Sequence, residues 1–394
     1  MQKQKLLLLG GSHAEVPLIQ AAQRLGFHVI TTGNRALDIG HRFSDQYIFG
    51  DFSNSDEMLQ IARGLNIDAV CSGCNDFAAI SASYVADVLS LGGHDTPQLC
   101  SLIHHKDTFY SFSKSCGVPV PSTIEVHSLE EARGVAGELG FPILLKPVDL
   151  TGGKGISKIT SIQELSIAWE TATSISRSSN LVLQRFIEGT NHAVSVLIKS
   201  GNVVFQFFDN EHYYANKYMV GGASFPSSIS DTTRNAISNS ISKLVKELNM
   251  VDGLLHLQFI VDDSENHFFI DVCRRAPGDL YIELVELAAG VPYPELIVRA
   301  ECSIPFEVVP HSVPHKHVGR LCLTPPHTGV LRSDPMFIGP GTLIQHISLL
   351  GPGDLIDRAD IQKIGIYHIE FADVDDMLQV MNNPWQHFHI SIDQ

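Results

Sequence analysis

The chain has 394 residues, 44% hydrophobic and 18% charged, enough for about two or three packed domains and unlike a disordered or low-complexity chain. Its net charge of −16 argues against nucleic acid or an anionic membrane as partner, because both select a basic face. No apolar run reaches the roughly 20 residues of a membrane helix. The opening "MQKQKLLLLGGSH" holds only four consecutive leucines before Gly-Gly, too few for a signal peptide. With seven scattered Cys, the expectation is a cytoplasmic protein with reduced thiols.

The first hundred residues alternate strand and helix. "KLLLLGG" predicts a buried strand ending in a Gly turn, and "SHAEVPLIQAAQRLG" a helix with Ser12 as N-cap and Gly26 as stop. "FHVITTG", "SDEMLQIARGLN", "IDAVCSG" and "NDFAAISASYVADVLSLGG" continue as strand, helix, strand and helix. This alternation implies a parallel sheet covered on both faces, a Rossmann-like front domain over residues 1–100. A helix around Lys106 to Lys114 follows.

From about Pro121 the pattern changes. "GFPILLKPV", "LVLQRFI", "HAVSVLIKSG" and "NVVFQFFDN" are rich in β-branched and aromatic residues and predict strands, with helices over Leu129–Leu139 and Ile162–Thr173. An amphipathic helix "TTRNAISNSISKLVKELNM", a hairpin "LLHLQFIVDDSENHFFIDVC" and two helices around a Gly-Val-Pro break come next. Residues 101–303 thus read as an α+β region with a small lobe over about 121–190 and a large lobe over about 191–303. Residues 304–394, with turns "GPGT" and "GPGD", read as a small β-rich C-terminal domain.

Three segments carry chemistry. In "LLKPVDLTGGKGISKI", Lys146 ends an apolar strand, and Gly152, Gly153 and Gly155 surround Lys154. Glycines let successive N–H groups converge on phosphate oxygens, and two lysines neutralise charge. The P-loop spacing is absent, and a Gly-rich hairpin turn with surface lysines has the same composition. "LVLQRFIEGTN" runs a strand into a polar linker, suited either to an adenine edge and ribose or to plain connection. In "FFIDVCRRAPGDLY", alternation puts Asp271, Cys273 and Arg275 on one strand face, and the hairpin can bring Gln258 opposite them. A hard metal ion with phosphate oxygens wants oxygen ligands here; an Asp paired with Arg274 or Arg275 is the structural alternative.

In this order, over residues 1 to about 300, the segments resemble the ATP-grasp superfamily. The nearest resemblance is to its carboxylate–amine ligases: the L-amino acid ligase, carnosine-synthase-like and purine-pathway ligase group. The resemblance implies an α/β plus α+β fold, in which a Rossmann-like front domain precedes a two-lobe domain that holds ATP between antiparallel sheets. It implies that Lys106 and Lys146 contact the α- and β-phosphates. The loop from Thr151 to Ser157, including Gly152, Gly153, Lys154 and Gly155, would cover the β- and γ-phosphates. Gln184, Arg185, Phe186 and Ile187 would form the adenine hinge, and Asn191 stands where the family carries a ribose-binding Glu. Gln258 and Asp271 stand where two Glu hold magnesium, and Cys273 where an Asn does. Arg275 matches the Arg that grips the transferring phosphoryl group and, with Lys146, would be catalytic. ATP and magnesium, with manganese as the alternative ion, are the implied cofactors. The implied substrates are a small carboxylate and an amine joined through an acyl phosphate, and the assembly could be a homodimer.

Gln184, Asn191, Gln258 and Cys273 are less acidic or softer than the family's residues, and a thiol is a poor magnesium ligand. Two alternatives therefore stay open: an ATP-binding regulatory or scaffolding module, and a purine-pathway carboxylation or formylation ligase. Weaker signals remain. Gly11, Ser12 and Glu15 could lie near an acceptor substrate. "CSGC", Cys71 to Cys74, has a redox-like context. His311, His315 and His317 have metal-compatible spacing in a Pro-rich linker. "MVGGASF", Met219 to Phe225, reads as a mobile cover or a turn, and Arg320 could reach a substrate carboxylate or form an ion pair.

Overall fold

The computed structural model describes residues 3–148, 155–176 and 180–393. The front domain is a parallel sheet with the strand order Gln46–Phe49, His28–Gly33, Lys5–Leu9, Ala69–Cys71. Three of these strands match the alternation of the sequence. Gln46–Phe49 is an addition: it is short, lies at the sheet edge, and lacks a buried apolar run that would mark it. Helices Val16–Arg24, Ser55–Leu65 and Asp76–Leu89 cover the sheet. Asn54 and Asn75 cap the last two, each accepting a first-turn N–H.

The helix expected around Lys106 to Lys114 is present, with a second, unexpected one before it. Pro97–His104 ends where His105 turns extended, and Lys106–Ser115 begins at once. The small lobe is an antiparallel sheet in the order Thr123–Val126, Leu181–Arg185, Ile143–Pro147, Ser157–Ile159, backed by helices Leu129–Leu139 and Leu165–Ile175.

The large lobe is built on an eight-stranded antiparallel sheet. Its order is His267–Cys273, Gly253–Val261, Thr190–Lys199, Asn202–Tyr213, Val220–Phe225, Val318–Leu323, Gly365–Glu370, Thr342–Ser348. The residues after Ile304 are β-rich as expected, yet the sheet does not break there. Val220–Phe225 pairs with Val318–Leu323, so the C-terminal region extends the same sheet. The stretch "MVGGASF" is accordingly a central strand, neither cover nor turn. Its glycines admit neighbouring rings: a Cβ on Gly221 would stand 2.3 Å from the Tyr214 ring.

Alternation gives this sheet two unlike faces. On one, Val194, Val196, Phe208, Leu255, Leu257 and Phe259 pack against Ile237, Ile241 and Leu244 of helix Asp231–Glu247. On the other, Leu197, Phe207 and Leu254 join the core that includes Leu6 and Leu18 of the front domain and Tyr281, Leu284 and Leu296 of helices Tyr281–Ala289 and Tyr293–Glu301. Along the same face, past that apolar floor, the residues turn polar.

One ion pair ties the front region to the sheet. Arg274 Nε donates to Asp95 Oδ2 at 2.6 Å, and its Nη atoms donate to Leu254 O and Val251 O. Both side chains are buried. Removing one partner of such a pair leaves the other charge uncompensated. Arg274→Ala should lower unfolding free energy by about 3–5 kcal/mol, read from the shift of the urea midpoint at unchanged m-value.

Candidate active site

The polar part of the sheet face begins with Asp271. The hairpin pairs Asp271 directly with Gln258, and Cys273 with His256. From the helix side, Lys106 Nζ reaches Asp271 Oδ1 at 3.4 Å. From the small lobe, Lys146 Nζ donates to Gln184 Oε1 at 2.6 Å, and Gln184 Nε2 donates on to Thr123 Oγ1 at 3.0 Å. Lys146 is buried, and that burial, followed by repulsion from Lys106 and opposed by attraction to Asp271, lowers its pKa to about 7. Thus Lys106, Lys146, Gln184, Gln258 and Asp271, scattered along 166 positions of sequence, meet at one corner between the lobes.

The linker between the lobes is pinned at both sides. Arg185 N donates to Ser122 O and Phe186 N to Pro142 O. The Phe186 ring lies 3.7 Å from Lys158 Nζ, a cation–π contact within the small lobe. Ile187 is half-buried, and Asn191 lies opposite Ile260 on the adjoining strand. Of the Gly-rich loop, Gly155 has a φ of +72°, where a Cβ would also press on Pro147 and Ile175. Thr151, Gly152, Gly153 and Lys154 lie outside the described residues.

Cys273 is buried, its Sγ 3.6 Å from Arg275 O, and burial pushes its thiol up to about 12. A protonated, enclosed thiol does not fit magnesium. The oxygen donors do fit: Asp271 is a partly exposed carboxylate, Gln258 offers an amide oxygen, and Glu211 stands beside them. Magnesium is content with one or two carboxylates when phosphate oxygens supply the rest. Among the described residues no group of three His, Cys, Asp or Glu forms a self-sufficient metal cage.

Arg275 is oriented by a residue that sequence reading missed. Its Nε donates to Asp76 Oδ1 at 2.8 Å, and Asp76 also meets His104 Nδ1 at 3.1 Å. Burial would raise the Asp76 carboxyl, but Arg275 and His104 hold it far below the usual carboxylate range. Asp76 immediately follows Asn75 in the "GCND" turn, so a capping sequence concealed an acidic orienter.

Glu211 and Asp209 were missed as well. Both project from Asn202–Tyr213 on the Asp271 face, in the otherwise aromatic run "FQFFDNEHY". Two carboxyls at period two in such a run were the available signal. Gln258 Nε2 donates to Glu211 Oε1 at 2.5 Å, and Tyr213 OH donates to Glu211 Oε2 at 2.8 Å. Burial raises Glu211 to about 7 against those hydrogen bonds. Burial, reinforced by Glu211, pushes Asp209 well above the ordinary carboxylate range.

Other candidates have structural duties. Glu15 is buried, accepting from Ser12 N and from Cys74 N, and Ser12 caps the next turn. Cys71 is buried and Cys74 partly buried, and burial raises both thiols well above their ordinary value, against redox use. His311 meets Glu286 at 3.4 Å and His315 meets Glu370 at 2.7 Å, so these histidines serve separate carboxylates. Arg320 is buried, with Nη1 donating to Asp279 O at 2.9 Å.

The sequence matches the family described as "Carbamoyl-phosphate synthase L chain, ATP binding domain" over residues 105–301. The chain belongs to this ATP-grasp family. It is an ATP-binding member of a family of ATP-dependent ligases and carboxylases. It is 24% identical to the carbamoyl phosphate synthase large chain of Pseudothermotoga lettingae over 318 residues, covering 76% of this chain and 28% of that one. The chain thus spans under a third of that curated relative. An L-amino acid ligase from Bacillus licheniformis superposes with a TM-score of 0.80 at 16% identity, covering 100% of both chains. The biotin carboxylase domain of a Hydrogenobacter thermophilus 2-oxoglutarate carboxylase, a dimer in complex with MgADP, ADP and bicarbonate, gives 0.76 at 19% identity, covering 100% and 92%. These likenesses confirm the three-part ATP-grasp fold: a parallel N-terminal sheet followed by two antiparallel ones.

Burial sets the lowered pKa of Lys146, and its hydrogen-bond partner at position 184 is neutral. Gln184→Glu should raise the Lys146 pKa, because it sets a carboxylate against the ammonium. A side-chain ¹⁵N titration should show the wild-type inflection near pH 7 and the variant's at higher pH.

Proposed function

We propose that the chain is an ATP-dependent carboxylate–amine ligase. The observation that carries this reading is the convergence of Lys106, Lys146, Gln258 and Asp271 between two antiparallel lobes. The fold is shared by the L-amino acid ligase and by biotin carboxylase domains alike, so the choice of the ligase branch rests on the sequence resemblance.

In this reading a carboxylate attacks the γ-phosphorus of ATP, the bond to the β-bridging oxygen breaks, and an acyl phosphate and ADP result. An amine then attacks the acyl carbon, phosphate leaves, and an amide forms. Positioning and charge neutralisation carry phosphoryl transfer, with little covalent work for the protein. Lys106 and Lys146 hold the α- and β-phosphates, and Gln184 to Ile187, with Asn191, receive the nucleoside. Arg275, held by Asp76, presents its guanidinium to the transferring group. Asp271 and Gln258 hold magnesium, which when bound offsets phosphate charge. By the family resemblance, the Gly-rich loop from Thr151 to Ser157 is assigned to the β- and γ-phosphates; its residues Thr151 to Lys154 lie outside the described residues.

The direct test is phosphate release from ATP and magnesium across a panel of carboxylates and amines, with the amide identified by mass. Expected is stoichiometric ADP, phosphate and amide for at least one pair. ATP binding without turnover for any pair would favour a regulatory module instead.

Two outcomes bear on the assigned residues. Asp271→Ala should reduce turnover at least about 100-fold, the scale of losing one key electrostatic contact, with an unchanged melting temperature. Nucleotide binding should also draw a proton onto Lys146. Without nucleotide the amine is largely neutral above pH 7, and phosphates favour its charged form. At pH 8, calorimetry in buffers of differing ionisation enthalpy should therefore show net proton uptake, shrinking as pH falls below 7. The stability of the ligand-free protein carries the matching sign. Below pH 7 both states bear the proton and the native state bears its burial cost. From 7 toward the ordinary lysine value the unfolded chain alone keeps the proton, so this group's contribution grows with pH.

A further inference from the structure

Gln258 brings a neutral amide to the metal corner, and an amide has two unlike ends. Its oxygen can bind a hard cation, whereas its NH2 group turns positive hydrogens toward one. Which end faces the ion decides whether Gln258 helps or hinders.

The register of the sheet gives that amide a partner. Gln258 pairs with Asp271 on one side and with Ala193 on the other. Ala193 in turn pairs with Asp209, two residues before Glu211 on Asn202–Tyr213. Gln258 and Glu211 thus sit on strands two spacings apart, about 9–10 Å between backbones. The buried Ala193 puts only a methyl group between them, so the two long side chains meet above it. There Gln258 Nε2 donates to Glu211 Oε1 at 2.5 Å. An ionised carboxylate only accepts, so the end of the amide that it holds is the NH2 end. Glu211 is itself fixed, because Tyr213 OH donates to its Oε2 at 2.8 Å. The relay from Tyr213 through Glu211 to Gln258 leaves Gln258 Oε1 as its last member.

We infer that Glu211 is a positioning residue for the metal: it locks the Gln258 amide with its oxygen toward the ion, and it supplies from behind the negative charge that Gln258 lacks. Hydrogen bonds of this outer kind fix a ligand's orientation and are worth about 10- to 100-fold in metal affinity. A site with Asp271 as direct carboxylate thereby gains the field of a second acid without a second direct charge. The inference rests on the metal corner assigned in the ligase reading, and it is tested by binding, without turnover.

The test follows Mn2+ by its EPR spectrum in the full chain, with protein in excess over ADP and with neither carboxylate nor amine present. Glu211→Gln, which keeps the shape and removes the charge, should weaken Mn2+ binding about 10- to 100-fold. In a Gln258→Ala background the same substitution should change the affinity by less than about twofold, the scatter of independent sites, because the group through which it acts is gone. Exchanging the pair, Gln258→Glu with Glu211→Gln, should return the affinity at least to the wild-type value, which a folding defect would not allow. Unaltered affinity in Glu211→Gln, an equal loss in the Gln258→Ala background, or an exchanged pair no better than Glu211→Gln alone overturns the inference. Asp271→Ala distinguishes its failure from that of the ligase reading. Mn2+ affinity lost in Asp271→Ala but unmoved by Glu211→Gln sinks this inference alone. Affinity kept in Asp271→Ala removes the metal corner, and both fall.

Discussion

Everything at the site depends on the two unlike faces of one continuous antiparallel sheet. Because successive side chains point to opposite faces, each strand serves a dry core on one side and a chemical surface on the other. Val194 and Val196 anchor the helix Asp231–Glu247, while Ala193 and Ser195, which alternate with them, lie on the polar side. A one-residue slip in any strand would turn the carboxyls into the apolar core under helix Asp231–Glu247, so the apolar packing enforces the register of the polar groups. The bulge after Gln258 occurs just past the Gln258–Asp271 pair, where it re-aims the rest of the hairpin without disturbing it.

Charge is distributed across this frame unevenly. The chain is acidic overall, yet Lys106, Lys146, Arg275 and Arg320 gather on the inner surfaces. Each is held by something other than a full countercharge pair at its tip, or by an acid that also orients it. Asp76 accepts from both Arg275 and His104, and Asp279 meets both His13 and Lys363. Asp279 and Leu280 both have left-handed backbone angles, φ of 56° and 57°. Such strain in non-glycine residues persists only where surrounding contacts over-determine it, and here contacts arrive from the front domain, the sheet and the C-terminal region.

Much of this was legible in the chain. Strand and helix alternation marked the front domain, and period two in "FFIDVC" put Asp271 and Cys273 on one face, opposite Gln258. The hidden parts share a physical cause: they are set by long-range pairing. That Val318–Leu323 would join Val220–Phe225 depends on strands about a hundred residues apart. Gly221 and Gly222 looked like a flexible joint because nothing local shows the Tyr214 ring that requires them. Asp76 looked like a helix start, which it is, and only the fold reveals the arginine against it. The edge strand Gln46–Phe49 had no periodic pattern because neither of its faces is deeply buried.

The lowered pKa of Lys146 has a consequence of a chemical kind. An uncharged amine is a nucleophile, and in a ligase of the proposed type it would lie near an activated acyl group, able to intercept it and acylate itself. Two features guard against that. The hydrogen bond to Gln184 directs the nitrogen toward the small lobe. The same phosphates that make an acyl phosphate possible also return the proton, so the amine loses its reactive lone pair before any electrophile exists. In the proposed reading, order of binding would protect the enzyme from its own intermediate.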